Sequence, residues 1–267
     1  MSITFYHSVE STCAQKVRFI LAEKKLRWTE IQLNLRKGEQ FDPEYLKLNP
    51  KAVVPTLIHN ENVIRESSVI AEYLDDAFPE PPLRPQDPYE QSIMRLIMKA
   101  FDEEVHPSVG VLSYAIFLRH QMSELKSPEE LQQHFERMTD PMRRERQRST
   151  HKLGLESPPA PIAVQTIKKV IELMDGYLQR GPWLAGNDYS LVDAAAVPYV
   201  FRIRALRLSP LWEDKPHVTS WLDRAVVRAE SLGLENPWGS SSFASMVAKY
   251  SEQALPQINK LLKNLQQ

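Results

Sequence analysis

The run Asn49-Pro50-Lys51-Ala52-Val53-Val54-Pro55-Thr56-Leu57-Ile58, followed by Val63-Ile64-Arg65-Glu66-Ser67-Ser68, constrains the fold of this chain more than any other stretch. Val53, Val54, Thr56, Leu57 and Ile58 are β-type residues with Pro55 set among them. A proline has no N–H to give to a ladder, so Pro55 marks a strand start or an edge. Either position leaves the backbone of Val54 free to pair with something outside the chain. Glu66 and Ser67 close a short apolar run and open the helical pattern Val69, Ile70, Tyr73, Leu74. Ser67 therefore stands at a helix N-terminus, where unsatisfied N–H groups attract a carboxylate. A strand facing such a helix end makes a clamp for a short acidic peptide. Each piece taken alone also reads as a plain strand–turn–helix with a capping serine.

At 267 residues the chain is long enough for one large or two modest domains. Ile3 to Tyr6 reads as a strand, Val17 to Leu26 as a helix, and Trp28 to Leu33 alternates as a second strand. A loop at Lys37–Gln40 and a short helix at Pro43–Lys47 precede the organising run, and a helix follows from Ser67 to Ala77. The order β-α-β-α-β-β-α fits a thioredoxin-like α/β domain. The proline-dense segment Pro79–Pro85 is the natural boundary, placing one domain at 1–80 and an all-helical one at 88–267. In the second, Ile93, Leu96, Ile97, Ala100, Phe101 and Val105 form one apolar face, and a helix runs from Pro161 to Leu178. Ser190-Leu191-Val192-Asp193 is close to a capping box. Residues 119–160 are polar and basic and read as an inserted helical segment, either a solvated face or a functional basic patch.

A net charge of −1 gives no bulk electrostatic case for nucleic acid or membrane. No apolar stretch approaches the roughly 18 residues of a membrane span. The opening Met1–His7 lacks a basic region followed by an apolar run, so no signal peptide is expected there. The one cysteine, Cys13, excludes an internal disulfide and a multi-cysteine metal site. His7 and His59 have no metal-ligand spacing, and no metal is expected. The expected compartment is the cytoplasm.

Ser11-Thr12-Cys13-Ala14-Gln15-Lys16-Val17-Arg18 follows the first strand and opens the first helix. A hydroxyl at this place either caps the helix or donates to a bound thiolate whose charge the helix N-terminus also favours. Free thiols of pKa about 8.5 are only a few per cent ionised at neutral pH, so such stabilisation raises the population of nucleophile. Cys13 reads either as a small residue packed against a strand or as a reactive thiol.

These motifs resemble those of the serine-type glutathione S-transferases, whose pattern is N-P-x-x-x-V-P-x-L followed by E-S at the next helix. The resemblance extends to the theta and zeta classes, to bacterial tetrachlorohydroquinone dehalogenases through S-x-C-x-x-K-x-R, and to the ganglioside-differentiation-associated relatives. It implies that Val54, before a cis Pro55, pairs with the cysteinyl part of glutathione, with Val53 beside it. It implies further that Glu66 and Ser67 hold the γ-glutamyl group, and that Gln40 contacts the glycyl carboxylate. Ser11 matches the catalytic serine, and Cys13 the thiol-exchange cysteine of the dehalogenases. The expected reaction is attack of glutathione, as co-substrate, on a small hydrophobic, aromatic electrophile. Reductive dehalogenation, aryl-ether cleavage, maleyl-type isomerisation and a non-catalytic glutathione-binding role remain open beside it. A homodimer is implied too. Tyr114, Phe117, Phe201 and Trp238 are candidates for the electrophile pocket or for the core.

Overall fold

The computed structural model describes residues 2–234 and 241–265. Four strands, β1 (Ile3–His7), β2 (Thr29–Gln32), β3 (Thr56–His59) and β4 (Asn62–Arg65), form one sheet in the order β2-β1-β3-β4. β1 runs parallel to β2 through the crossover helix α1 (Thr12–Glu23), and β1–β3 and β3–β4 are antiparallel. Leu57 at the sheet centre faces both Phe5 and Ile64 across the ladders. Helices α2 (Pro43–Leu48) and α3 (Ser67–Ala77) complete a thioredoxin-like unit in the expected element order. Pro55 stands at a strand start and not at an edge, because β3 lies between β1 and β4. The Val54–Pro55 peptide is cis.

The proline-dense connector is tied down by a buried ion pair. Lys24 pairs with Asp75 and donates to the carbonyls of Phe78 and Pro81 at 2.8 and 2.6 Å. The N–H of Leu83 donates to Asp75 at 3.0 Å, so the carboxylate spends its lone pairs on the chain leaving α3.

From Pro88 to Leu125 the backbone stays helical, in three pieces α4 (Pro88–Ala100), α5 (His106–Ser113) and α6 (Arg119–Leu125). Two wide, π-type turns, Phe101–Val105 and Tyr114–Leu118, join them. The N–H of His106 reaches the carbonyl of Phe101, and that of Arg119 reaches Tyr114, five residues back in each case. Of the apolar face expected from Ile93 to Val105, Ile93, Ile97, Ala100, Phe101 and Val105 are buried in one core through the wide turn, whereas Leu96 is exposed.

Residues 119–160 form α6, α7 (Pro128–Glu136) and α8 (Pro141–Leu153). Then come α9 (Pro159–Leu178), α10 (Leu191–Ala205), α11 (Pro216–Ser231), α12 (Ser241–Gln253) and α13 (Leu255–Asn264). α10 is buried from Leu191 to Ile203, and α1 packs against it. Its start is held by Asp193, which accepts from the N–H of Ser190 at 3.0 Å, the N–H of Leu184 at 3.0 Å and Trp221 Nε1 at 2.8 Å. One continuous core therefore runs from Phe5, Ile20 and Leu74 through Met94 to Tyr199 and Trp221. Among the described residues, no helix is long and apolar enough to cross a membrane.

Candidate active site

Ser11 is the N-cap of α1, in extended backbone, and its Oγ accepts from the N–H of Ala14 at 3.3 Å. Accepting this bond uses oxygen lone pairs and leaves the hydroxyl hydrogen for another acceptor. Capping and donation to an anion are thus compatible at the same residue.

The organising run is shaped from beneath. Tyr45 Oη donates to the carbonyl of Val53 at 2.6 Å and Asn49 Nδ2 to the same oxygen at 3.0 Å. Glu66, the N-cap of α3, sits at φ 66, a left-handed conformation that a non-glycine residue adopts at some cost. Its carboxylate meets Lys51 at 2.7 Å. Gly38, at φ 86, opens the tight turn Glu39–Phe41, where lack of a Cβ makes that backbone inexpensive. The turn buries Gln40, whose Oε1 finds no hydrogen-bond partner among the described residues.

Ser11, Cys13, Gln40, Val53, Val54, Pro55, Glu66 and Ser67 all border one cavity of about 330 Å³. Its other wall comes from the helices beyond Pro88: Val109, Leu118, Met122 and Met138 give it apolar surface, and Asp102, His106, Arg143 and Arg202 give it charge. Of the aromatic candidates, Tyr114 lines the cavity, while Phe117 and Phe201 are buried in the core. Trp238 lies outside the described residues. His7 and His59 are buried at the ends of β1 and β3 and do not border the cavity. Residues 119–160 contribute Met122, His134, Met138, Arg143 and Gln147 to the wall, so this stretch is not solvated throughout.

Beneath the cavity, the fully buried Lys16 Nζ donates to Asp102 at 2.6 Å and to Ser68 Oγ at 2.9 Å, and Ser68 donates to Asp102 in turn. Arg202 reaches from α10 to the carbonyl of Glu10 at 2.8 Å and to Ser113 Oγ at 3.2 Å. Burial brings its guanidinium down to about 9. Cys13 Sγ lies 3.3 Å from His106 Nδ1 and 3.3 Å from Tyr199 Oη. Burial alone pushes this thiol up, but the neighbouring His106, with Lys16 and Tyr199, outweighs it and brings the thiol down to about 6. The Cys13 sulfur raises His106 in return, against the effect of burial.

Two family models match the chain: the N-terminal domain of glutathione S-transferases over residues 10–77 and the C-terminal domain over residues 156–228. The chain belongs to the glutathione S-transferase superfamily. Glutathione S-transferase Z1 of Arabidopsis thaliana is 36% identical over 116 residues, 42% of this chain and 52% of that protein. The maleylacetoacetate isomerase of Dictyostelium discoideum is 38% identical over 104 residues, 38% of this chain and 48% of that protein. The chain spans about half the length of the curated relatives it matches. Among solved structures, the β-etherase LigF from Sphingobium sp. strain SYK-6 superposes with a TM-score of 0.78 at 25% identity, covering 87% of this chain and 99% of that one.

Against this superfamily background, His106, Asp102, Arg143, Tyr199 and Arg202 are the cavity and near-cavity residues that sequence reasoning missed. Two carried a signal. Tyr199 and Arg202 are polar residues inside the otherwise apolar run Ala194–Ile203, where a polar group needs a buried partner. No group of three or more His, Cys, Asp or Glu able to hold a metal occurs among the described residues.

Proposed function

We propose that this chain is a glutathione transferase that ionises the glutathione thiol in the cavity between its two halves and directs it at a hydrophobic, aromatic electrophile. The supporting observation is that one cavity gathers a peptide-binding wall and an apolar wall. The first comprises Val54, Pro55, Glu66, Ser67 and Gln40, whose Oε1 has no partner among the described residues; the second is formed by Val109, Leu118, Met122 and Met138. Gln40 Oε1 is a buried acceptor that an N–H of a peptide-like ligand satisfies, which fits glutathione.

Glutathione supplies the nucleophilic sulfur. The residues of the chain act on its charge and position. Ser11 donates its hydroxyl hydrogen toward the sulfur while its oxygen stays on the Ala14 N–H, and the start of α1 adds its positive end. The first N–H groups of α3, at Ser67 and Ser68, receive a carboxylate, and Asp102 is placed to accept from an ammonium group. In this reading residues 1–80 form the glutathione-binding domain, residues 88–267 the electrophile-binding domain, and the protein works in the cytoplasm as a homodimer.

Aryl-ether cleavage is the second reading, supported by the likeness to the β-etherase over nearly the whole of that enzyme. Retention on glutathione-agarose followed by turnover of a panel of chloroaromatic, quinone and β-aryl ether electrophiles tests both. Conjugation of the chloroaromatics supports the first reading. Cleavage of the ethers alone replaces it with the second, and retention without any turnover leaves a binding protein.

A further inference from the structure

Among the described residues, every carboxylate bordering the cavity already has a cation. Arg36 takes Glu10, Lys51 takes Glu66 at 2.7 Å, and Lys16 takes Asp102 at 2.6 Å. The bordering arginines are mostly spent as well: Arg36 on Glu10 and Gln121, and Arg202 on Ser113 and the carbonyl of Glu10. Arg143 is the exception. Its half-buried side chain borders the cavity, and its guanidinium makes no hydrogen bond or ion pair among the described residues. Its charge nonetheless bears on Cys13, His106 and His134, which stand on α1, α5 and α7. Burial lowers its pKa, so this cation is short of water as well as of a partner.

The anions around it are engaged elsewhere. Asp140 caps α8, accepting from the N–H of Met142 at 2.9 Å and from that of Arg143 itself at 3.2 Å. Cys13 faces Arg143 through charge alone and has its own contacts at 3.3 Å in His106 and Tyr199. Gln147 follows four residues on, along the same face of α8, and also borders the cavity with its amide unengaged among the described residues. The corner before α8 is fastened from both sides. Thr139 Oγ1 donates to the carbonyl of Lys51 at 3.1 Å, and Arg137 to that of Phe41 at 3.2 Å. Arg143 is thereby set in place before any ligand arrives, which lowers the cost of binding one.

We propose that Arg143 and Gln147 bind a carboxylate carried on the aromatic electrophile, which makes aryl carboxylates the substrate class this cavity prefers. That the ligand is an electrophile rests on the transferase reading above; the carboxylate subsite does not. A guanidinium presents parallel N–H donors that match both oxygens of a carboxylate, and an amide N–H adds another. The ring then lies against the apolar wall of Leu118, Met122 and Met138 in the same cavity. A neutral ring of equal size leaves the Arg143 charge unmet. The subsite comes from α8, which lies between the two family-model matches at residues 10–77 and 156–228.

The full chain is given glutathione with 4-chloro-3-nitrobenzoate and, separately, with its methyl ester. Each kcat/KM is divided by the uncatalysed rate, which removes the difference in intrinsic reactivity. Binding of benzoate and of methyl benzoate is measured by calorimetry without glutathione. The parent should favour the carboxylate in both measurements. In Arg143→Gln the carboxylate-to-ester ratio should fall roughly ten- to hundredfold. Arg143→Lys should recover only part of it, because an ammonium lacks the planar fork. Gln147→Leu should lower the ratio by roughly two- to fivefold. Damage to the fold lowers both rates together, and Arg143→Lys, which keeps the charge, then carries the test. A parent that prefers neither compound, or an Arg143→Gln ratio equal to the parent's, overturns the proposal. A raised KM for glutathione with the ratio unchanged also overturns it, and assigns Arg143 to the co-substrate. Benzoate binding that Arg143→Gln abolishes, with no turnover of either compound, overturns the transferase reading and leaves the carboxylate subsite standing.

Discussion

Lys16 Nζ lies 2.6 Å from Asp102 Oδ1, and this ion pair ties the first helix to the wide turn after α4 beneath the cavity. Its members differ in exposure: the Lys16 side chain has none, whereas that of Asp102 is 36% accessible. Removing one partner of a buried pair is costly chiefly for the charge left behind. Asp102→Asn strands a buried ammonium and should lose roughly 3–5 kcal/mol in urea unfolding. Lys16→Met leaves a carboxylate that water and Ser68 still serve, and should lose clearly less. Equal losses would refute the asymmetry.

Ser11→Ala removes two things at once. Loss of the cap should cost about 1 kcal/mol of stability. Loss of a charge-assisted donor should cost roughly 1.5–3 kcal/mol of thiolate stabilisation. Turnover should fall further than glutathione affinity. Thiolate absorbance of the bound complex, titrated against pH, should show a raised apparent pKa; an unchanged titration assigns Ser11 to capping alone.

His7 predicts a pH dependence. Burial lowers it to about 4, with Glu30 opposing and Arg18 assisting. The unfolded chain, with an imidazole pKa near 6.5, therefore binds more protons than the folded one between about pH 4 and 6.5. Stability should be full above that window and fall as pH drops through it, by about 2–3 kcal/mol at the lower end. Both ring nitrogens lack hydrogen-bond partners among the described residues, and the ring stacks on Phe5 at 4.9 Å. His7→Phe should keep the stack and flatten the slope in chemical denaturation at pH 4.5 and 7. A slope equal to the parent's would show that another group carries it.

Asp193 joins three segments through buried bonds to Leu184, Ser190 and Trp221. Asp193→Ala leaves two N–H groups and an indole N–H without their acceptor, and should cost roughly 3–5 kcal/mol. Trp221→Phe removes one of the three donors and should cost about 1 kcal/mol. Melting temperatures of both variants check the ranking.

Ser11, Val54, Pro55, Glu66 and Ser67 were legible because each is set by its neighbours: a cap before an apolar helix, or a proline before a strand. The opposite wall was not. His106, Arg143 and Tyr199 each reach the site of Cys13 across more than 90 residues of chain, and no local pattern records such a meeting. The wide turns were equally hidden, because apolar periodicity assumes 3.6 residues per turn and Phe101–Val105 departs from it. Basic composition suggested a solvated 119–160. The side chains of Met122, Met138 and Arg143 lie on the inner face instead, where overall polarity says little about direction.

The two wide turns let the helix carry extra residues while the far wall keeps its aim. Each holds one residue more than an α-helical turn would need, and a residue is worth about 100° of rotation. Deleting one position between Phe101 and Val105 should restore an ordinary helical turn and leave His106, Val109 and Ser113 facing the cavity much as before, because the wide turn already absorbs the extra residue. An extra residue elsewhere in α5, with no wide turn to absorb it, should instead carry the positions after it about 100° round the helix and out of the wall.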